Sequence, residues 1–441
     1  MPKFGKYDKK AQGRRTCKRQ KGFNCTSLCF IRVILPFAMV ISIAQVWLFV
    51  RCSIPTGLFY FFTNPDKGVS KRLLIVLLIL EMLMPLTSDE HVVLLDKALV
   101  AIKAVVMSAC MGFYIRDRRQ KSADGKQIAP FYDVLGRWNE NPLKSVPSKV
   151  DSKEQSINID TIRRDSRFWL LRAVVYMLLF VPAMTLFDGF LRVCMEPPEI
   201  RTNVGYIDKF VQHTVSLRSL YYHAVVGFTL HLHVAIVPVL QLLFTAVHLF
   251  FLAQFVPNNT PLARYHQQLA RFVAQPPIFD KPWLSRNVHE LWSRRWHQIF
   301  RPGFKQIAYQ PVRALFGKNQ VLGAFAGTVS VFLLSGLMHD YIVLVMLGYK
   351  NWNQPGILGY QTIFFLLQAV ATVVTSPKFS WIPIFPASAA RLLTAAWMVF
   401  TAPLFVEPFL RLGLHLDAEV PGFPRTLDPY LDVICPYGGR S

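Results

Sequence analysis

The chain has 441 residues, of which 52% are hydrophobic and 17% charged, against about 25% charged in soluble domains. Its formal net charge is +23, and the charge lies outside several long apolar runs. Those runs exclude an ordinary soluble globule. The positive-inside rule and anionic head groups account for the basic excess, and no base-recognition motif makes nucleic acid a partner.

The N-terminal stretch "MPKFGKYDKKAQGRRTCKRQKGFN" is basic and lacks a small-residue cleavage site. It reads as a basic cytosolic tail, 1–29, ahead of an uncleaved anchor. The first apolar run, "FIRVILPFAMVISIAQVWLFV" (30–50), meets the requirement of about 20 residues for crossing a bilayer. Further candidate spans are 72–87, 91–115, 168–194, 220–256, 320–348, 359–376 and 388–413. The expected fold is an all-α polytopic membrane bundle of about eight transmembrane helices. Its parts are the tail, N-terminal membrane helices (30–115), a flexible basic loop (116–167), a membrane domain (168–413) and a C-terminal tail (414–441).

Lys and Arg are dense in 116–167 and 257–319, so both loops should face the cytosol. This requires 220–256 to cross only once. Upstream, a cytosolic N-terminus followed by three spans puts 116–167 on the wrong side. Three readings remain open: "IPTGLFYFFTN" (54–64) joins the membrane, 91–115 does not cross, or the N-terminus is luminal. The run 91–115 is the weakest span, because it contains Asp96, Lys97 and Lys103. The sequons at Asn24 and Asn258 fall where cytosol is expected, so neither should carry a glycan. Seven scattered cysteines show no CxxC pair and no metal-ligand spacing, so neither a disulfide framework nor a zinc site is expected.

"PPIFDKPWLSRNVHELWSRRWHQIFRPGF" (276–304) stands out from its surroundings. Ser285 is a candidate N-cap after Pro282, and "RPG" stops the helix at 301–303, which leaves about four turns between them. Trp292, Trp296 and His289 share one side, and Arg294 lies opposite. The pattern suits an amphipathic aromatic-basic helix on the cytosolic side, with Trp rings at head-group depth. It equally suits a basic face for an anionic ligand from the cytosol, because Arg forks a phosphate bidentately.

The second constellation is "VFLLSGLMHDYIVLVML" (331–347), where His339 and Asp340 interrupt an apolar span. Ionisable groups inside a membrane mark either function or an interhelical bond. Ser335 and Gly336 lie one turn before His339 on its face. Four other histidines, His223, His231, His233 and His248, carry no spacing that ties them to chemistry. Glu81, Asp188 and Glu407 are expected to bond neighbouring helices.

Together, "PPIFDKPWLSRNVHELWSRRWHQ" and "SGLMHD" resemble the wax synthase-like (long-chain-alcohol O-fatty-acyltransferase) branch of the membrane-bound O-acyltransferases. The resemblance rests on Pro277, Phe279, Ser285, Trp292, Arg294, Arg295, Trp296 and His297, then on Ser335, Gly336 and His339. It covers chiefly 270–345. Leu291 and Ser293 replace the usual Phe and Gly. His297 stands where plant members have Asn, as in fungal-type members.

The resemblance implies transfer of an acyl group from acyl-CoA to a lipophilic alcohol, most simply forming wax esters. It implies His339 as catalytic base and His297 as a second catalytic group. Arg294, Arg295, Arg301 and Lys305 would hold CoA phosphates, and Trp292 and Trp296 would line the entry. Ser335 and Gly336 would border the substrate pocket. No metal and no tightly bound cofactor are implied, since acyl-CoA is a co-substrate. The expected setting is the endoplasmic reticulum membrane, with membrane lipids as surroundings. Alternatives are acetyl transfer to a terpenoid or sterol hydroxyl, acyl transfer to diacylglycerol, a transporter using His339 and Glu407 as a proton relay, or an inactive scaffold.

Overall fold

A computed structural model describes residues 43–63, 69–88, 94–123, 131, 159–194, 205–255, 279–297, 300–354, 356–377, 385–411 and 428–437. The segment 1–42 lies outside them, as do most of the 116–167 loop and the Asn24 and Asn258 sequons. Regular structure among the described residues is helical throughout, so the all-α expectation holds. The principal helices are α1 (Ile43–Phe62), α2 (Lys71–Leu83), α3 (Leu94–Ala123), α4 (Ile159–Val193) and α5 (Tyr206–Val211). They continue with α6 (Leu217–Phe255), α7 (Gln310–Leu315), α8 (Gln320–Leu347), α9 (Tyr360–Val374) and α10 (Ala387–Arg411).

Five stretches, Leu94–Arg118, Asp165–Val193, Leu217–Phe251, Gln320–Leu347 and Ala387–Arg411, are long and apolar enough to cross a membrane. The helix α9 is a shorter apolar one of 15 residues. Two expected spans take other forms. Most of 30–50 lies outside the described residues, and α1 instead runs on through Pro55 into the 54–64 stretch. The 72–87 run is helical for only 13 residues, about 20 Å. It then tightens into a 3₁₀ turn, Met84–Thr87, that contains Pro85, which has no N–H for the helical ladder. Large apolar side chains on the spans stay exposed, Leu178 and Leu179 at 67% and 68%. Such a surface suits hydrocarbon and not water.

The run expected to be the weakest span is α3, one of the five. Its charges find partners inside the bundle. Lys103 Nζ meets the fully buried Glu81 carboxylate of α2 at 2.5 Å and also reaches the Cys52 carbonyl and the Thr56 hydroxyl of α1. Thr56 donates in turn to Glu81 at 2.8 Å. Asp96 accepts from the Gln45 amide. Three helices are thereby joined by one ion pair with its hydrogen bonds completed, the only form in which buried charge is tolerated. Asp188 and Glu407 likewise bond structural partners: Asp188 takes Arg192 at 2.7 Å and faces His233 of α6, while Glu407 takes Arg411 and the Tyr206 backbone N–H.

The helix α8 lies at the centre of the fold and packs on α3, α7 and α9, while α10 packs on α6 and α9, and α6 on α4. Small residues set the approach. A Cβ on Gly336 would lie 2.6 Å from the Thr362 Cα, so α8 and α9 touch there through backbone. Thr362 then donates to Asp340 on the next turn of α8.

The expectation of no disulfide is overturned. Cys194, just past α4, is bonded to Cys435, with Cα atoms 5.3 Å apart. The two are 241 residues apart in sequence, so no local spacing announces the pair. The tail is also drawn to α4 by Arg192 on Asp428 at 3.0 Å.

Replacing Glu81 by Ala strands Lys103 among α1, α2 and α3 and should destabilise the protein by about 3 kcal/mol or more. Thermal melting of detergent-purified protein measures this. The double change Glu81→Leu with Lys103→Leu should lose less than the single one, and an unchanged midpoint in Glu81→Ala would show the pair to be dispensable.

Candidate active site

The segment 279–309 does not form the four-turn helix that its periodicity suggests. Pro282–Leu284 is a 3₁₀ turn, and Ser285 donates its hydroxyl back to the Pro282 carbonyl. The N-cap is Asn287, whose side chain accepts the Glu290 N–H at 2.7 Å. A single α turn, Val288–Glu290, widens into a π turn, Leu291–Arg295, closed by the Trp296 N–H on the Leu291 carbonyl. The helix stops at Trp296, which is extended. Two interactions account for the stop. The Arg295 carbonyl accepts from the Asp280 N–H, so it is not available to a following turn. The Trp296 ring is taken up by an aromatic group: Phe279 at 5.5 Å, Trp292 at 5.5 Å and His231 at 5.0 Å. A π turn shifts the side chains after it relative to an α-helix, and such turns are frequent at functional sites.

Trp292 and Trp296 therefore pack inward against the protein. Trp292 donates its indole N–H to the Oε1 of Gln368 on α9, which is fully buried. Trp397 of α10 donates to the same oxygen at 3.0 Å, and the Gln368 amide donates to Thr401. One glutamine thus joins the Trp292 turn, α9 and α10. Phe332, Phe364 and Phe365 complete the packing round Trp292.

Between this turn, α6, α8, α9 and α10 lies a cavity of about 380 Å³. His297 and His339 both line it, with Trp292, Trp296 and Phe365. His339 is held with Nδ1 2.8 Å from the Ser335 carbonyl. A carbonyl only accepts, so Nδ1 carries the proton, and the neutral ring keeps a lone pair at Nε2. Phe365, at 4.6 Å, and Phe405, at 5.5 Å, fix the ring plane. His297 packs against Phe279 and Phe300, and its Nδ1 is buried with no hydrogen bond to another described residue. Burial above all, then the neighbouring His339 and His231, pushes the His297 pKa down to about 3. It is therefore neutral through the physiological range, one ring nitrogen donating and one accepting.

Ser335 and Gly336 are absent from this lining. Ser335 supplies the carbonyl that orients His339, and Gly336 makes the α8–α9 contact, so both act behind the cavity wall.

The four candidate phosphate-binding cations separate. Arg295 is built into the turn, with Nε on Glu290 at 2.7 Å and Nη1 on the Asp280 carbonyl at 3.1 Å. Burial alone would raise the Glu290 carboxyl, but the Arg286 N–H and the Arg295 guanidinium outweigh it and hold it low. Arg301 donates to the Ser293 carbonyl at 2.8 Å. Arg294 and Lys305 are exposed. Two groups escaped the reading of the sequence. His231 of α6 lines the cavity, and Arg391 stands exposed on it at the start of α10. No motif marks either, because each reaches the site through packing between distant segments.

Arg295→Ala should lower the thermal midpoint by the equivalent of about 2 kcal/mol, having broken a half-buried charge-assisted pair. Arg294→Ala should leave it unchanged. Equal midpoints for the two variants would remove Arg295 from the scaffold.

Residues 275–367 match the profile of the Membrane bound O-acyl transferase family. Over 185 residues the chain is 28% identical to the "Probable long-chain-alcohol O-fatty-acyltransferase 3" of Arabidopsis thaliana, covering 40% of this chain and 51% of that protein. It is 30% identical over 101 residues to the "Long-chain-alcohol O-fatty-acyltransferase" of Simmondsia chinensis, 22% of this chain and 27% of that one. It is also 28% identical over 181 residues to the "Acyl-CoA--sterol O-acyltransferase 1" of Arabidopsis thaliana, 38% of this chain and 48% of that one. The chain spans about two fifths of the length of the first relatives it matches, 40% and 41%.

Proposed function

Taking residues 275–367 as a membrane-bound O-acyltransferase segment of the wax synthase-like branch, we propose that the protein transfers an acyl group from acyl-CoA to the hydroxyl of a lipophilic alcohol, forming a wax ester. The observation that carries the reading is His339: its Nδ1–H is engaged by the Ser335 carbonyl, so Nε2 is a base in a cavity shared with His297.

An alcohol is a weak nucleophile until a positioned base takes its proton. His339 Nε2 accepts that proton as the alcohol oxygen bonds to the thioester carbonyl carbon. The carbonyl oxygen gains negative charge and accepts a hydrogen bond from a His297 N–H. Collapse reforms the carbonyl and breaks the C–S bond, and the leaving thiolate recovers the proton from the His339 imidazolium. Ester and free CoA thiol result, and both imidazoles end neutral. No covalent acyl-enzyme is needed. The apolar rings round the histidines exclude water, which would otherwise compete as acceptor.

The direction of supply follows from the disulfide. Disulfides persist on the oxidising side of a membrane. Cys194 and Cys435 must share that side, so the chain crosses an even number of times between them. The helices α6, α8 and α10 give three crossings, and no other apolar run of span length intervenes, so α9 is the fourth. At 15 residues it rises about 22 Å, short of a full span but enough inside a bundle. The segment 279–319 is then on the opposite, cytosolic face, which is where acyl-CoA is made available. Exposed Arg294 and Lys305 suit its phosphates. The alcohol, like the acyl chain, enters from the lipid. An oxidising lumen facing acyl-CoA-rich cytosol suits the endoplasmic reticulum.

Membranes holding the protein should form ester from radiolabelled acyl-CoA offered with fatty alcohols, sterols and diacylglycerol, with fatty alcohol preferred. His339→Ala should reduce turnover by at least about 100-fold with folded protein unchanged. Ester formed at the wild-type rate by that variant would take His339 out of the reaction. In sealed microsomes a thiol reagent that cannot cross the membrane should leave Cys194 and Cys435 unlabelled until reductant and detergent are both added. Labelling of either without detergent, once reductant is present, would reverse the orientation.

A further inference from the structure

Three imidazoles line the cavity, and the reaction as written uses two. The third, His231, comes from α6, far in sequence from both motifs, and is 9% exposed. Its ring stands edge-on to Phe279 at 4.3 Å and lies over Trp296 at 5.0 Å with an angle of 31°. Its Nδ1 is buried with no hydrogen-bond partner among the described residues.

The neighbours on the same helix show the ordinary arrangement. His223 and His233 each bring Nδ1 to the carbonyl one turn back, at 2.7 and 2.8 Å. Among the described residues His231 makes no such bond, and it lines the cavity. A buried nitrogen without a partner is unfavourable, and a polar atom of a ligand held in the cavity can supply that partner. The unpartnered Nδ1 of His297 is in the same condition. Both rings contact the same two aromatic side chains, Phe279 and Trp296. The other polar lining is engaged or at the edge: Ser285 and Thr394 donate to the Pro282 and Ala390 carbonyls, and Arg391 is exposed.

We propose that His231 is a further catalytic residue, whose ring N–H hydrogen-bonds the thioester carbonyl oxygen beside His297 and stabilises the charge that forms there. The inference rests on the acyl-transfer reading above. In the addition step the carbonyl π electrons move onto oxygen as the alcohol oxygen bonds to carbon. That oxygen takes one hydrogen bond from His297 and one from His231. Collapse returns the electrons, expels the thiolate and releases both donors unchanged. Two neutral donors in an apolar site suit a charge present only in transit, because neither must give up water at that moment. His339 remains the single base.

The experiment compares wild type, His339→Ala, His231→Leu and His231→Gln in full-length protein, recording kcat, the KM for acyl-CoA, and thermal midpoint. His231→Leu removes the donor and should lower kcat by about 100-fold or more with little change in KM. His231→Gln restores an N–H and should recover part of the loss. A packing role would instead move the thermal midpoint and leave the two variants equally active. Wild-type kcat in His231→Leu, or an equal loss in both variants, overturns the proposal while a His339-dependent ester in the wild type leaves the acyl-transfer reading standing. No ester from the wild type overturns both. If His231→Leu does not fold, His231→Met takes its place under the same criteria.

Discussion

Inside hydrocarbon a polar group is tolerated only when something within the protein answers it, and this constraint organises the whole molecule. Lys103 is answered by Glu81, Asp188 by Arg192, Glu407 by Arg411 and the Tyr206 backbone, and the Gln368 oxygen by two indoles. The Lys103–Glu81 pair, the Glu407 bond to the Tyr206 backbone and the Gln368 bonds each fix one element against another, while Arg192 and Arg411 answer their carboxylates from the next turn of the same helix. The places where the rule is left incomplete then become informative. The Nδ1 atoms of His231 and His297 are two of them, and both residues line one cavity.

The scaffold behind that cavity is built in layers. Gly336 lets α9 reach the backbone of α8, and the Asp340–Thr362 bond holds the two in register. That register sets Phe365 against the His339 ring, while the Ser335 carbonyl chooses its tautomer. Gln368, one turn further along α9, ties in Trp292 and so the turn that carries His297. A motif that looks like separate words in sequence is therefore one mechanical unit. The serine and glycine of "SGLMH" set the histidine's orientation and the helix contact behind it, and neither lines the cavity.

The all-α membrane class was legible in the sequence, and His297 and His339, which line one cavity, both stood out in it, because each leaves a local trace: apolar runs of span length, a dense aromatic-basic block, or an ionisable residue within an apolar span. The sequence misled about 285–300. Helical periodicity there is real, yet the Trp296 ring is claimed by His231 of α6, which no window of local sequence contains. The Arg295 carbonyl and guanidinium are claimed by Asp280 and Glu290, which are near in sequence but at spacings that helical periodicity does not pair. His231, Gln368 and the Cys194–Cys435 pair were hidden for one common reason: what defines them is contact across long separations in the chain.

That disulfide has a consequence for how the protein is made. Its two sulfurs are separated by 241 residues, and every helix that walls the cavity lies between them. Cys435 is made after all of those helices, and on the orientation proposed above it shares a side with Cys194 only when the chain between them has crossed the membrane an even number of times. The bond therefore acts as a clasp that stays open when a single crossing is missed. A chain with one helix left out of the membrane would carry its last cysteine on the reducing side, where thiols stay open and quality control can tell the unfinished molecule from the finished one.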